Sequence, residues 1–374
     1  MLKVLLLFGT RPEAIKLAPL AHELKAREGV DCRICVTAQH REMLDQVMDF
    51  FDLQADWDLD LMQKGQSLAG LSARILQSLE PVVEEFQPDW AIVQGDTSTC
   101  MVSALLAFYH QVRIAHVEAG LRTGDKFSPF PEEINRRITS VLADLHLAPT
   151  ERNRDALIQE GIPAGDILLS GNTVIDALLL ARDRVKRNPP ASLATLLADL
   201  GERRMVLITG HRRESFGDGF EQICNAIREL ALRFPGEAFV YPVHLNPRVQ
   251  EPVHRLLSDL PNVWLVDPQP YPEFVTLMER SHLLLSDSGG VQEEAPSLGK
   301  PVLVMRNHTE RQEGVDAGTA RLVGNDRERI VSAVVELLEN PEAWRSMSEA
   351  HNPYGDGKAC AGIADALLER ARAR

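Results

Sequence analysis

Leu2-Lys3-Val4-Leu5-Leu6-Leu7-Phe8-Gly9-Thr10-Arg11-Pro12-Glu13 stands at the head of the chain. An apolar run of strand length stops at a glycine, and charged groups follow where a helix begins. The pattern returns as Met205-Val206-Leu207-Ile208-Thr209-Gly210-His211-Arg212-Arg213-Glu214. In open α/β sheets, ligands bind outside the carboxyl ends of strands. Two such edges in one chain predict two similar domains facing each other across a cleft, with a charged ligand between them.

Outward from these edges, short apolar runs alternate with amphipathic stretches. The clearest strands fall at 2–8, 31–36, 90–94, 113–117, 205–209, 238–243, 263–266, 282–286 and 301–304, with helical patterns at 67–86, 132–144, 215–233 and 326–338. Such alternation predicts an α/β fold with parallel sheets covered on both faces. A second echo pairs Trp90–Gln94 before Gly95-Asp96-Thr97-Ser98 with His282–Ser286 before Asp287-Ser288-Gly289-Gly290. Helix capping by Asp, Ser and Thr explains such endings equally well, so the echo supports the fold and leaves function open. A charged stretch after Ala181, then Asn188-Pro189-Pro190, marks the domain boundary region. We expect one domain over 1–171 plus 355–374, and a second over 172–354.

Composition narrows the function. The chain has 374 residues, 44% hydrophobic and 25% charged, which suits two soluble cores. A formal net charge of -14 argues against nucleic-acid binding, which needs a basic footprint. No run approaches the roughly 18 apolar residues of a membrane span, and Arg11, Glu13 and Lys16 follow the first run too soon for a signal peptide. The expected location is the cytoplasm, and five cysteines fit a reducing compartment. Cys32 and Cys35 form a C-x-x-C, but within a strand they point to opposite faces. With no second pair and no nearby histidine, ordinary packing is the reading.

No G-x-G-x-x-G, P-loop or G-x-S-x-G elbow is present, and no His/Cys/Asp set has metal-ligand spacing. We therefore expect no metal and no cofactor. The turn Asp287-Ser288-Gly289-Gly290 opens a helix, and its paired glycines let backbone N–H groups approach a phosphate. Glu294, one turn on, is placed for ribose hydroxyls. Arg11 and Lys16 flank the first edge, where a guanidinium can grip phosphate oxygens with two prongs. The densest segment runs from His116-Val117-Glu118-Ala119-Gly120-Leu121-Arg122 to Pro131-Glu132-Glu133-Ile134-Asn135-Arg136. Glu132 and Arg136 are four apart and share a helix face, which on its own reads as a solvated ion pair. Asp96, Glu118 and Glu132, with His211 from the other edge, form a set of titratable groups whose gathering points to chemistry. His244 follows a strand, and its residues leave packing and function equally open.

Read together, Gly9–Lys16, Thr37–Arg41, Gln94–Thr97, His116–Thr123, Pro131–Arg136, Gly210–Glu214 and Asp287–Glu294 resemble the bacterial non-hydrolysing UDP-N-acetylglucosamine 2-epimerases, in order, from residue 2 to about 350. The resemblance implies a GT-B-like fold of two Rossmann-like domains, with the C-terminal helix returning to the first. It implies reversible conversion of UDP-GlcNAc to UDP-ManNAc, supplying ManNAc units for surface polysaccharide. It implies nucleotide contacts at Arg11, Gln269, Phe274, Ser288, Gly289, Gly290, Glu294 and Arg311. Lys16, Asp96, Glu118, Glu132, Arg136 and His211 then fall at the reacting sugar. A second UDP-GlcNAc bound as an activator, with Gln39, Arg74, Arg212 and His244 as its residues, is also implied, as is a homodimer. Glu42 stands where some members carry glutamine. A hydrolysing epimerase releasing ManNAc and UDP, a GT-B glycosyltransferase and a non-catalytic sugar-nucleotide sensor are the competing readings.

Overall fold

The computed structural model describes residues 1–38, 41–61 and 65–372. By its contacts the chain divides into two compact units, Met1–Leu180 with the segment from Tyr354 onward, and Ala181–Pro353. From sequence the limits were expected at 171/172 and 354/355.

The first unit contains β1 (Leu2–Phe8), α1 (Arg11–Ala26), β2 (Val30–Val36), α2 (Arg41–Phe50), β3 (Trp57–Asp58), α3 (Leu68–Phe86), β4 (Trp90–Gln94), α4 (Ser98–Tyr109), β5 (Arg113–Val117), α5 (Glu132–Leu142), β6 (Leu145–Ala148), α6 (Glu151–Gln159), β7 (Ile167–Leu169) and most of α7 (Thr173–Arg187). Its seven strands are parallel, in the order β3-β2-β1-β4-β5-β6-β7. Helices on both faces bury β1 and β4 almost completely, which is why their sequences are unbroken apolar runs. Leu5, Leu7, Val93, Ala104 and Ile114 form the core beneath α3 and α4. Thr97, three residues past β4, caps α4, accepting from the Cys100 amide at 3.0 Å.

The second unit contains α8 (Ala194–Leu200), β8 (Met205–Thr209), α9 (Asp218–Arg233), β9 (Ala238–Pro242), α10 (Pro247–Leu257), β10 (Val263–Val266), α11 (Tyr271–Arg280), β11 (Leu283–Ser286), α12 (Gly289–Glu294), β12 (Val302–Val304), α13 (Gln312–Asp316), β13 (Ala320–Leu322), α14 (Arg327–Glu339) and α15 (Pro341–Ser348). Its six parallel strands run β10-β9-β8-β11-β12-β13. Ile208, Phe220, Phe239, Tyr241, Leu285 and Val334 lie in its core. The last helix, α16 (Ala359–Arg372), packs on α1 of the first unit.

Both sheets therefore have the doubly wound order 3-2-1-4-5-6, the first with one more strand. The order reverses between β1 and β4, and again between β8 and β11. These are the strands whose ends form the two echoed pairs in the sequence. Cys32 and Cys35 are buried on β2, and burial pushes both thiols up to about 12, so they pack as small apolar groups.

Candidate active site

At the first switch point, one buried carboxylate ties two strand ends together. Glu13 accepts from the Gly9 and Thr10 amides at 3.1 and 2.8 Å and from the Thr10 hydroxyl at 2.7 Å, all following β1. Its other oxygen accepts from the Thr97 hydroxyl, following β4, at 2.6 Å. Burial pushes the Glu13 carboxyl up, and these hydrogen bonds pull it back down. Arg11 begins α1 directly beside this knot. It has no ion-pair partner among the described residues.

Two acid–cation pairs lie on the same edge. Lys16 Nζ reaches both Glu118 oxygens at 2.7 and 2.6 Å, and Gln94 Nε2 donates to the same carboxylate. Glu118 sits just past β5 with φ +63°, the left-handed region that non-glycine residues seldom occupy. Gly120 follows at φ +92°, where a Cβ would collide with the Asn153 carbonyl, so this crossing fits only glycine. Beside it, Asp96 accepts from Arg136 Nε and Nη2 at 2.9 and 2.7 Å, both on the single oxygen Oδ2. The Arg136 partners differ from the sequence expectation. Glu132, four residues back, is not one of them. Arg136 turns to Asp96 and to the buried Glu133, 3.0 Å from Nη1, and Glu133 also accepts from the Thr123 and Gly124 amides at 3.1 and 3.4 Å. Glu132, at the first position of α5, instead keeps a buried Oε2 with no hydrogen-bond partner among the described residues. His116, on β5, approaches the Gly95 carbonyl at 2.7 Å with Nε2. A carbonyl only accepts, so Nε2 carries the hydrogen. Burial lowers the ring to about 3 and keeps it neutral.

The second switch point has the same plan with other groups. Asp287, buried after β11, accepts from the His211 and Arg212 amides after β8, both at 2.7 Å. The His211 ring stacks on His244, with centroids 5.2 Å apart and planes 11° from parallel. Ser288 caps α12, and its amide donates to Ser286 Oγ at 3.0 Å. Gly289 and Gly290 open the helix, and Arg311 lies over Gly289: a Cβ there would come within 3.3 Å of Cζ. Glu293 Oε1 accepts from Arg311 Nε at 2.7 Å, holding the guanidinium beside the turn. Glu294 Oε1 accepts from the buried Tyr271 hydroxyl at 3.1 Å. Gln269 Nε2 donates to the Asp267 carbonyl at 2.7 Å, just before α11, which carries the half-buried Phe274. A glycine turn, a helix N-terminus and a tethered arginine together make an anion cradle.

The sequence-expected residues thus fall into two groups, each gathered within one unit. Lys16, Asp96, Glu118, Glu132 and Arg136 lie with Arg11 on the first edge. His211, Ser288, Gly289, Gly290, Glu294 and Arg311 lie on the second, with Gln269 and Phe274 before and on α11. Of the activator set, Arg74 lies on α3, where Nη2 bonds Gln66 and Nε is buried without a partner among the described residues. Arg212 and the exposed His244 lie beside His211, and Gln39 is outside the described residues. Sequence reasoning gave no role to Glu13, Glu133, Tyr271 or Asp287. The spacing Thr10-x-x-Glu13, a capping box, is a readable signal for the first. Nothing local marks Tyr271.

A family model described as UDP-N-acetylglucosamine 2-epimerase matches residues 22–368. The UDP-N-acetylglucosamine 2-epimerase of Yersinia pestis is 56% identical, over 98% of both chains. The crystal structure of UDP-GlcNAc 2-epimerase from Neisseria meningitidis bound to UDP-GlcNAc superposes with a TM-score of 0.90 at 48% identity, covering 98% of this chain and 100% of that one. The Methanocaldococcus jannaschii UDP-GlcNAc 2-epimerase in complex with UDP-GlcNAc and UDP has a TM-score of 0.79 at 30% identity, with 98% and 100% covered.

Proposed function

The chain belongs to the UDP-N-acetylglucosamine 2-epimerase family, and from that premise we propose that it interconverts UDP-GlcNAc and UDP-ManNAc without net hydrolysis. The observation that carries this reading is the cluster on the first edge: three carboxylates, two of them fixed by a lysine and an arginine.

Inversion at C2 is difficult because no carbonyl acidifies that proton. The proposed route removes it together with the C1 substituent. A carboxylate takes the C2 proton, the C–H electron pair becomes the C1=C2 bond, and UDP leaves C1 with its bonding pair. The 2-acetamidoglucal is then protonated at C2 on its other face, and UDP returns to C1. Asp96, Glu118 and Glu132 share the proton transfers. Cations and amides must stabilise the departing diphosphate. Arg11, the Ser288–Gly290 turn and Arg311 are suited to that, with Glu294 and Tyr271 beside the ribose and Gln269 and Phe274 beside the base. Lys16 and Arg136 hold the acids, and His211 works at the sugar–diphosphate junction. The enzyme acts in the cytoplasm as a homodimer and supplies ManNAc units for surface polysaccharide. A second UDP-GlcNAc activates it through Gln39, Arg74, Arg212 and His244.

Incubation with UDP-GlcNAc in D2O, followed by NMR, tests the reading. Deuterium at C2 of UDP-ManNAc and of recovered UDP-GlcNAc is expected. Accumulation of free ManNAc with UDP would replace it with the hydrolysing reaction. Sigmoidal kinetics in UDP-GlcNAc, and a mass of two chains by light scattering, are the corresponding results for activation and assembly.

A further inference from the structure

Asp287 and Glu13 occupy equivalent bridging roles at the two switch points, but they are not equally used. Glu13 spends both oxygens on fixed donors. Asp287 spends only Oδ2, on the His211 and Arg212 amides. Its Oδ1 is buried with no hydrogen bond among the described residues, and lies 3.4 Å from His211 Nδ1. A buried carboxylate oxygen without a donor is costly, and the imidazole is the group placed to relieve it.

We propose that Asp287 is a positioning residue that holds His211 with its hydrogen on Nδ1, leaving Nε2 as the atom that gains and loses a proton during the reaction. This rests on the reading of His211 as part of the reactive site. The chemistry is that of a carboxylate–imidazole pair, where the orienting acid fixes tautomer and ring direction. Three groups act on the ring. Burial lowers its proton affinity most, Asp287 opposes that, and His244 and Arg212 reinforce it. A small tilt of the ring closes the 3.4 Å gap to a hydrogen bond, while the two amides keep the carboxylate from following. The stacked His244 limits the ring's other motion.

Long-range ¹⁵N–¹H spectra of histidine-labelled full-length protein, with His211 assigned by its loss in His211→Asn, read the tautomer directly. The Nδ1–H form is expected in the unsubstituted protein, and the Nε2–H form would overturn the proposal without any Asp287 variant. In Asp287→Asn the amide oxygen can still accept from the two backbone donors, while its NH2 faces Nδ1 and reverses the tautomer. We expect that variant to lose about 100-fold in kcat with KM changed less than about threefold. The limb of the pH–rate profile due to His211 should move to lower pH by about one unit or more. Adding Asp287→Asn to His211→Asn should cost nothing further, and an additional loss there would show a merely structural role. Full activity in His211→Asn alone would instead sink the reading of His211, while the tautomer result stands.

Discussion

The two switch points are built on one plan and filled with opposite chemistry. Each is crossed by a single buried carboxylate, Glu13 reaching from the β1 end to Thr97, and Asp287 reaching from the β11 end to the His211 amide. Around Glu13 the remaining groups are acids held by cations: Glu118 with Lys16, and Asp96 with Arg136. Around Asp287 they are backbone amides, glycines and an arginine tethered to Glu293. On the proposed function, the first edge supplies the carboxylates that exchange protons, and the second holds the anion and adds a single proton-exchanging side chain, His211. The shared backbone plan therefore says where a ligand binds, and the side chains say what is done to it.

The sharpest way to break this comparison is to exchange Glu118 for Gln. The amide keeps the shape and loses the base, so kcat and C2 deuterium exchange should fall by about 1,000-fold, while UDP still binds. Wild-type exchange in Glu118→Gln, Asp96→Asn and Glu132→Gln taken singly would remove the division of labour between the edges.

A second test concerns the fifth-position strands. β5 carries buried His116 beside His146 on β6, whereas its counterpart β12 is the apolar Val302–Val304. Both histidines are neutral in the fold, lowered from 6.5 to about 3 and about 4 by burial. The unfolded chain then binds more protons below about pH 6.5, so stability falls as pH drops from there toward 3. For His116 alone this amounts to about 2 kcal/mol between about pH 7 and 5. Hydrogen exchange should quicken in the first sheet before the second on acidification. His116→Gln should flatten that pH slope, whatever it does to stability at neutral pH.

The smallest effect is expected at the anion cradle. Gly289→Ala places a methyl 3.3 Å from Arg311 Cζ, pushing the guanidinium from the turn. UDP affinity measured by calorimetry should weaken about tenfold, roughly 1.4 kcal/mol, with kcat at saturation nearly unchanged. A fall in kcat with unaltered affinity would assign the glycine turn to chemistry rather than to holding the anion.

The sheets were largely legible because strands buried on both faces read as apolar runs. The four strands missed from sequence depart from that rule. β3 is two residues long, β6 carries His146, β7 is only half-buried at the sheet edge, and β13 carries Arg321. At the site, residues at strand ends were visible by type and place, but their partners were not. Helical spacing joined Glu132 to Arg136, yet Asp96, forty residues away in sequence, takes the guanidinium. Spacing along one helix carries no information about a carboxylate delivered by the neighbouring strand. Asp287 was in view as the acid ending a strand, but its bonds run to the backbone of a segment 75 residues earlier.

The helix α16 gives the chain a particular order of manufacture. The polypeptide leaves the first unit after Leu180 and re-enters it at Tyr354. There Asp176 accepts from the Ala359 and Cys360 amides at 3.3 and 2.9 Å, and Arg27 reaches Asp365 at 3.1 Å. A ribosome therefore completes the whole second unit before the first can close. A chain terminated near Tyr354 lacks α16 and its contacts to α1 and Asp176, and should fail at the sheet that was synthesised first.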